Sequence, residues 1–392
     1  MDLTRSLRRS GRVATGVDRV ELAYLNRFLA DDVACFGLVR TALGYVLLDR
    51  AGLIGFQDRM LGLSNWGAVD LLSRLARSRP TVVKQAESDV RRLGIARTHR
   101  GKLDQMLVKH LPNGFDYFNV GHSNLTDRVL YAVKAAAGEI HVLIHDVIPL
   151  DYPQFQRKGS VSVFKEKLQR VSATADRVIY NSHDTQSKTA PHLRAMGRVP
   201  TGIVSHLGAI KPTPDRAQLP PGLPLDQPYF VTVGTLEPRK NHAFLLDLWD
   251  DLGPDAPPLF LCGGRGWNNN ALFARLDGLP PGHPVQEVTG LTDAALAALV
   301  QGATGALFPS FAEGFGLPPL EAVQLGTRVL CNDLDVIREF LGGNAVYASV
   351  FDRYSWLCKI DEWTSNPSGA ERETPFVGPT WDEHFKTVLR LR

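Results

Sequence analysis

At 392 residues the chain is about twice the ~100–200 residues of one domain, so two domains with their own cores are expected. A hydrophobic content of 44% and a charged content of 22% exclude a disordered chain. The four cysteines, Cys35, Cys262, Cys331 and Cys358, form no C-x-x-C pair, which excludes a zinc or disulfide framework and fits the reduced thiols of a cytosol.

The net charge of +3 conceals an asymmetry: residues 1–210 hold 30 Lys and Arg against 19 Asp and Glu, while residues 211–392 hold 14 against 22. The most basic stretch, Arg74 to Lys109, has 10 basic and 3 acidic side chains. It reads either as a solvated face or as a surface for an anionic membrane or acceptor. Nucleic acid is not expected, because no aromatic side chains alternate with these charges. The most apolar stretch, from Val33, is broken by Arg40 and Asp49, and "MDLTRSLRRSGR" lacks the apolar core of a signal peptide. A cytoplasmic protein is therefore expected.

Short apolar strands followed by amphipathic helices recur along the chain, the pattern of α/β layers with parallel sheets. The stretch before Thr4 is short, as if the chain began inside its first strand. In the first half, strands are expected near Leu38–Val39, Val46–Leu48, Phe115–Val120, His141–His145 and Arg177–Tyr180. Helices are expected near Val17–Leu29, Asp127–Ala137 and Val161–Ala173. "KPTPDRAQLPPGLPLDQP" carries six prolines in 18 residues and cannot continue a helix or a central strand, so a linker is placed at 211–228. This leaves an N-terminal domain at 1–210 and a C-terminal domain at 229–379. The second half reads as strand "YFVTVG", helix Asn241–Trp249, strand "PLFLCGG", helix Thr292–Val300, strand "GALFPS", helix Pro319–Leu325 and strand "RVLCN". An amphipathic helix over 380–392 closes the chain.

Ligands of open parallel sheets sit beyond the carboxyl ends of the strands, so chemistry is expected at strand-to-helix turns. In "FPSFAEGFGLPPLEA", Glu313 and Glu321 flank Gly314 and Gly316, whose missing side chains let backbone amides approach a ligand. Two carboxylates beside free amides suit a polyol, since each carboxylate can accept from a vicinal diol. Glu321 is expected in the first turn of its helix, and the plainer alternative makes both glutamates local caps. In "YFVTVGTLEPRKNH", Gly234 makes a turn and Arg239 and Lys240 precede a helix start, a site for a dianion such as diphosphate. No G-x-x-x-x-G-K-[ST] motif or complete G-x-G-x-x-G motif supports an ATPase or NAD reading. Gly16 opens a helix in "TGVDRVE" and admits a phosphate there. His141 and His145 lie on one strand ~13 Å apart, too far to share a metal, and His145 reads equally as a structural histidine bonded to backbone. Asp333 and Asp335 in "CNDLDV" have the form of a metal–nucleotide D-x-D pair.

In order, "VGTLEPRKNH", "CGGRGW", "VTGLTDAAL", "FPSFAEGFGLPPLEA" and "IREFLGGNAVY" resemble the nucleotide-sugar half of glycosyltransferase family 4. "TGVDRVE", "IHDVIPL" and "VIYNSHDTQ" resemble its acceptor half. The resemblance implies the GT-B fold: two Rossmann-like domains facing across a cleft, with the last helix crossing back to the first domain. It implies that Glu321 binds the ribose diol and that Glu313 and the amides of Gly314, Phe315 and Gly316 face the donor sugar. Arg239 and Lys240 would hold the diphosphate, with Gly16 approaching it, His145 would contact the sugar, and Gly290 and Leu291 would hold the base. Gly234 and Leu317 complete the implied donor contacts. "VSHLGA" departs from the family pattern, which leaves His206 without an assigned contact. The implied activity is retaining transfer of a hexosyl group, mannosyl from GDP-mannose by similarity of "GTLEPRKNH", to a glycan or lipid-linked acceptor in surface polysaccharide biosynthesis. No metal and no other cofactor are implied. The alternatives are a non-catalytic glycan- or nucleotide-sugar-binding protein, or a sugar isomerase or phosphorylase of similar build.

Overall fold

A computed structural model describes residues 1–74, 78–209, 212–367 and 376–389. Arg77 of the basic stretch, Lys211 of the linker and residues 390–392 of the tail lie outside them.

Thirteen strands form three sheets among these residues. In the first half, β1 (Gly37–Thr41), β2 (Gly44–Leu48) and β3 (Ala96–Thr98) make an antiparallel sheet. This corrects the expectation of parallel sheets throughout. The cause is the tight link between β1 and β2, where Gly44 takes a φ of +151° and Thr41 faces Gly44 in register. A parallel sheet follows, in the order β4 (Phe115–Asn119), β5 (Gly138–Ile144), β6 (Arg177–Tyr180), β7 (Thr201–Val204). Residues 1–3 join the two sheets: the Asp2 amide donates to the Phe118 carbonyl at 2.9 Å, and Leu3 and Leu38 bond on the other side.

The second half is one parallel sheet, in the order β10 (Val285–Val288), β9 (Leu259–Cys262), β8 (Phe230–Val233), β11 (Gly305–Phe308), β12 (Val329–Cys331), β13 (Val346–Tyr347). Its strands are apolar runs because helices cover both faces. Phe230, Leu259, Leu307 and Leu330 are fully buried on one face with Trp249 and Trp356. Each such side chain contributes about 1.5–3 kcal/mol. The chain runs outward from β8 to β10 and then returns to β11, so the loops after β8 and β11 diverge at a switch point, where a crevice opens.

The closing helix Trp381–Leu389 packs on the first half. Buried His384 bonds Tyr24 Oη through Nε2 at 2.8 Å, and its Nδ1 lies 3.0 Å from the His206 carbonyl. A carbonyl can only accept, so Nδ1 carries the proton and Tyr24 donates to Nε2. No described helix is long and apolar enough to cross a membrane.

Candidate functional site

The switch-point loops bring three of the expected residues together. The loop after β8 ends in a short 3-10 turn, Pro238–Lys240, and Asn241 at φ +55° turns the chain into helix His242–Leu252. The loop after β11 carries Glu313. Lys240 Nζ donates to Glu313 Oε1 at 2.6 Å and Arg239 Nη1 to Glu313 Oε2 at 3.0 Å. Arg239 also pairs with Glu237 through Nε at 2.7 Å and donates to the Ala312 carbonyl at 2.9 Å. The stem of Lys240 crosses Gly234, whose φ of +149° favours glycine, and a Cβ there would lie 3.5 Å from Lys240 Cε.

Burial pushes the Glu313 carboxyl up, but Lys240 and then Arg239 more than offset it and hold the pKa at about 2. Burial lowers the Lys240 pKa by more than Glu313 restores, whereas its carboxylate neighbours raise Arg239 despite burial. Arg239 is therefore the firmer positive charge. The guanidinium also acts on Asp146 across the cleft, where burial is the larger influence and raises the carboxyl. Arg239 Nη2 and two of the Lys240 protons have no acceptor among the described residues. These donors remain for a further anionic ligand.

Glu321 stands apart from this cluster. Its helix begins at Leu317 with Gly316 as cap at φ +102°, so Glu321 sits in the second turn. That corrects the expected first-turn position: Pro318 and Pro319 occupy the first turn, where their missing N–H groups cost nothing. Arg19, from helix Gly16–Ala30 on the opposite wall, donates from Nη1 to Glu321 Oε1 at 2.8 Å and from Nη2 to Asp293 Oδ1 at 2.9 Å. Gly16 lies in the same gap, where a Cβ would meet Leu317 Cδ1 at 3.4 Å. Gly290, at φ +73°, and Leu291 follow β10 beside Asp293.

At Gly314 the backbone of the second half packs against the first. A Cβ on it would fall 2.8 Å from Asp146 Oδ2 and 2.9 Å from the His145 carbonyl. Asn181 Nδ2 bridges the His145 and Gly314 carbonyls at 2.8 and 3.1 Å, and Thr185 Oγ1 donates to Gly314 at 3.2 Å. The amides of Gly314, Phe315 and Gly316 donate to no described atom. Phe315 itself is buried and stacks on Phe340, with ring centroids 4.6 Å apart. Only its backbone is available to a ligand.

His145 directly follows β5, which ends one residue short of the expected strand end, and lies buried at the cleft with Nε2 2.6 Å from the Val120 carbonyl. Burial lowers its pKa to about 4 and that of its neighbour His122 to about 3. Both rings are neutral at pH 7, and each bonds a backbone carbonyl. Asp333 is clamped by Arg338 through two bonds, one of 2.9 Å to Oδ2. His206 bonds Glu339 at 2.6 Å, and Glu339 also accepts the amides of His183 and Asp184. One grouping of described residues could share a metal ion, Asp116, Glu139 and His141, at the amino ends of β4 and β5, away from the cleft. A cavity of about 730 Å³ lies on that same far side, lined by Phe28, Phe36, Leu107 and Phe115.

Sequence reasoning missed Arg19, Asp146, Asn181, Glu237 and Glu339. All five lay inside quoted motifs, Arg19 three residues after Gly16, Glu237 two before Arg239 and Asp146 directly after His145. That spacing was the available signal.

Residues 216–373 match the family model for glycosyl transferases group 1. The serotype-specific mannosyltransferase WbdA of Escherichia coli is 30% identical over 277 residues, covering 66% of this chain and 34% of that protein. The chain thus spans about a third of the length of that relative. The O-antigen chain mannosyltransferase RfbU of Salmonella typhimurium is 30% identical over 164 residues, 41% of this chain and 45% of that one. Among solved structures, Anabaena HepE, determined with UDP and glucose, superposes with a TM-score of 0.57 at 16% identity, covering 74% of this chain and 80% of HepE. The trehalose-6-phosphate synthase OtsA superposes with a TM-score of 0.54 at 13% identity over 96% of this chain and 92% of its own. Two parallel-sheet halves facing across a cleft, with a last helix returning to the first half, make up the GT-B glycosyltransferase fold.

Proposed function

We propose that the protein is a retaining mannosyltransferase of glycosyltransferase family 4, moving mannose from GDP-mannose to a glycan or lipid-linked acceptor in surface polysaccharide synthesis. The observation that carries the reading is the convergence of Arg239 and Lys240 on Glu313 beside free backbone amides, with Glu321 eight residues further on. The mannosyltransferase relatives favour mannose as the sugar.

In this reading the spare donors of Arg239 and Lys240 take the diphosphate, and Gly16 leaves room for it. Glu321 exchanges Arg19 for the ribose diol, Gly290 and Leu291 border the base, and Glu313 with the amides after it meets the sugar hydroxyls. His145, neutral and fixed, contacts the sugar. The bond from the anomeric carbon to the diphosphate oxygen breaks while a bond to the acceptor oxygen forms on the same face. The acceptor proton passes to the departing phosphate oxygen. Two cations held in a buried site stabilise the charge that develops there, so no metal ion is required. Peripheral attachment to the inner membrane face would bring a lipid-linked acceptor within reach.

GDP release from GDP-mannose, with UDP-glucose as control and EDTA present, tests the proposal. Release from GDP-mannose that falls at least about a hundredfold in Arg239→Ala supports it. Nucleotide binding with no release in the presence of mannosylated acceptors favours a binding protein instead.

A further inference from the structure

The connection that leaves β5 after His145 and Asp146 carries a feature that the donor reading does not use. Pro153 opens a short 3-10 turn, Pro153–Phe155, ahead of helix Ser160–Thr174. The turn is anchored in its own half, where His192 Nε2 lies 2.7 Å from Asp151 Oδ1. Its other side faces the second half. Three rings stack in a column: Tyr152 on Phe155 with centroids 6.0 Å apart and planes at 13°, and Phe155 on Phe311 at 5.4 Å and 14°. Trp267 Nε1 donates to the Phe155 carbonyl at 3.1 Å and Asn268 Nδ2 to the Gln156 carbonyl at 2.8 Å. The Arg157 guanidinium lies over the Trp267 ring, 4.7 Å from its centre.

These contacts straddle the donor cations. Phe311 follows β11, Trp267 and Asn268 follow β9, and β8 runs between those two strands. The segment 152–157 therefore spans the loop after β8, which carries Glu237, Arg239 and Lys240. Each end of the span is one hydrogen bond from that loop. On the β11 side the Phe311 amide donates to the Arg239 carbonyl at 2.8 Å, and the next residue, Ala312, accepts from Arg239 Nη1 at 2.9 Å. On the β9 side the Gly266 amide and Asn269 Nδ2 both donate to the Leu236 carbonyl, at 3.2 and 3.3 Å. Gly266 sits so close that a Cβ would come within 3.0 Å of that oxygen. Phe155, Phe311 and Trp267 are each half-buried, so the stack covers apolar area that an open cleft would return to water.

We propose that residues 152–157 are a strap that sets the position of the Arg239 guanidinium, and that Phe155 is a positioning residue for the transfer step, acting through Phe311 and Ala312. The proposal rests on the donor reading for what Arg239 does, and on the stacked rings for what holds it. Arg239 stabilises charge that develops as the diphosphate departs, and that stabilisation depends on a group already in place. A displaced guanidinium still attracts the diphosphate of the bound donor but meets the developing charge less well. Loosening the strap therefore lowers kcat more than it raises KM.

Steady-state GDP release from GDP-mannose, with mannosylated acceptors present, is measured for Phe155→Ala, Phe155→Tyr and Trp267→Phe. In Phe155→Ala kcat is expected to fall about tenfold or more while KM changes less than about threefold, and Phe155→Tyr, which keeps the ring, restores kcat. Trp267→Phe removes only the hydrogen bond to the strap and should lower kcat about threefold. In an Arg239→Lys background, Phe155→Ala should cost less than about twofold further, because its effect passes through the guanidinium. Equal losses in both backgrounds, or a rise in KM alone, overturn the proposal. Hydrogen exchange of residues 308–313 reads the strap without turnover. Exchange at the Phe311 amide should quicken about tenfold or more in Phe155→Ala, and unchanged exchange overturns the proposal. Circular dichroism and urea midpoints identify a variant that fails to fold, and Trp267→Phe then carries both tests. If the parent releases no GDP and shows no thermal shift with GDP while exchange at Phe311 still quickens, the strap's hold on the Arg239 loop stands and the transferase reading falls.

Discussion

Replacing Arg239 with alanine strands two buried carboxylates, Glu237 and Glu313, that now share its guanidinium. Breaking a buried pair from one side costs about 3–5 kcal/mol, and urea unfolding of Arg239→Ala at pH 7 is expected to show a loss of that order. The pH dependence has a definite sign. Glu313 has a folded pKa of about 2 against an ordinary 4.5, so its ionised form stabilises the fold fully above pH 4.5. That contribution is lost as the pH falls from 4.5 toward 2, and Glu313→Gln should flatten this acid limb in urea midpoints taken across it. Glu21 has the opposite sign, with a folded pKa of about 8 above an ordinary 4.5. Folding must keep it protonated, at a cost that grows as the pH rises between those values. Glu21→Gln should therefore stabilise the protein by an increment that grows from pH 4.5 to 8, and an increment flat with pH would refute this assignment. These carboxylates were visible in the sequence as residues, but their protonation was not. Burial and partners decide it, and both come from distant parts of the chain.

At the scale of elements, the central strands were legible and the small ones were not. "YFVTVG", "PLFLCGG" and "GALFPS" are apolar throughout because both faces of their sheet are covered, and each became a strand. β10, "VQEV", alternates over too few residues to register, and β3 and β13, at three and two residues, carry no periodicity. Helix His183–Ala195 escaped notice because Pro191 lies within it and its buried face is only Thr185, Thr189 and Leu193. The last helix returns on three buried side chains, His384, Phe385 and Val388, of which only His384 is polar: His384→Leu would leave the Tyr24 hydroxyl and the His206 carbonyl without their partner. A loss of about 1–3 kcal/mol is expected in thermal or urea unfolding, because buried polar groups left unpaired bear their full desolvation cost. Gly314→Ala acts on closure of the cleft. Its Cβ would meet backbone of the opposite wall, so the variant should fold normally but show a larger radius of gyration in solution scattering.

Over the whole molecule, the charge asymmetry in the sequence becomes two facing walls, one with surplus cations and one with paired acids. The ion pairs from Arg19 to Glu321 and Asp293 join them. The pair on Asp293 is largely exposed and contributes at most about 1 kcal/mol, and Glu339 and Gly314 still bond across the cleft, so Arg19→Met should leave both halves folded and the cleft closed in solution scattering. The sequence motifs singled out Arg239, Lys240 and Glu313, which the structure brings together, because these residues lie within two neighbouring loops. The Arg19 contact was not legible, since it joins positions 302 residues apart. The most direct test of the account is a thermal-shift titration of GDP and UDP with EDTA present, on the parent protein and on Glu321→Ala. At about a hundred times its dissociation constant GDP should stabilise the parent by about 2.7 kcal/mol, a shift of several degrees that is lost in the variant. Absence of a shift with either nucleotide, or a shift that Glu321→Ala leaves unchanged, would contradict the assignment of this cleft as a nucleotide-sugar site.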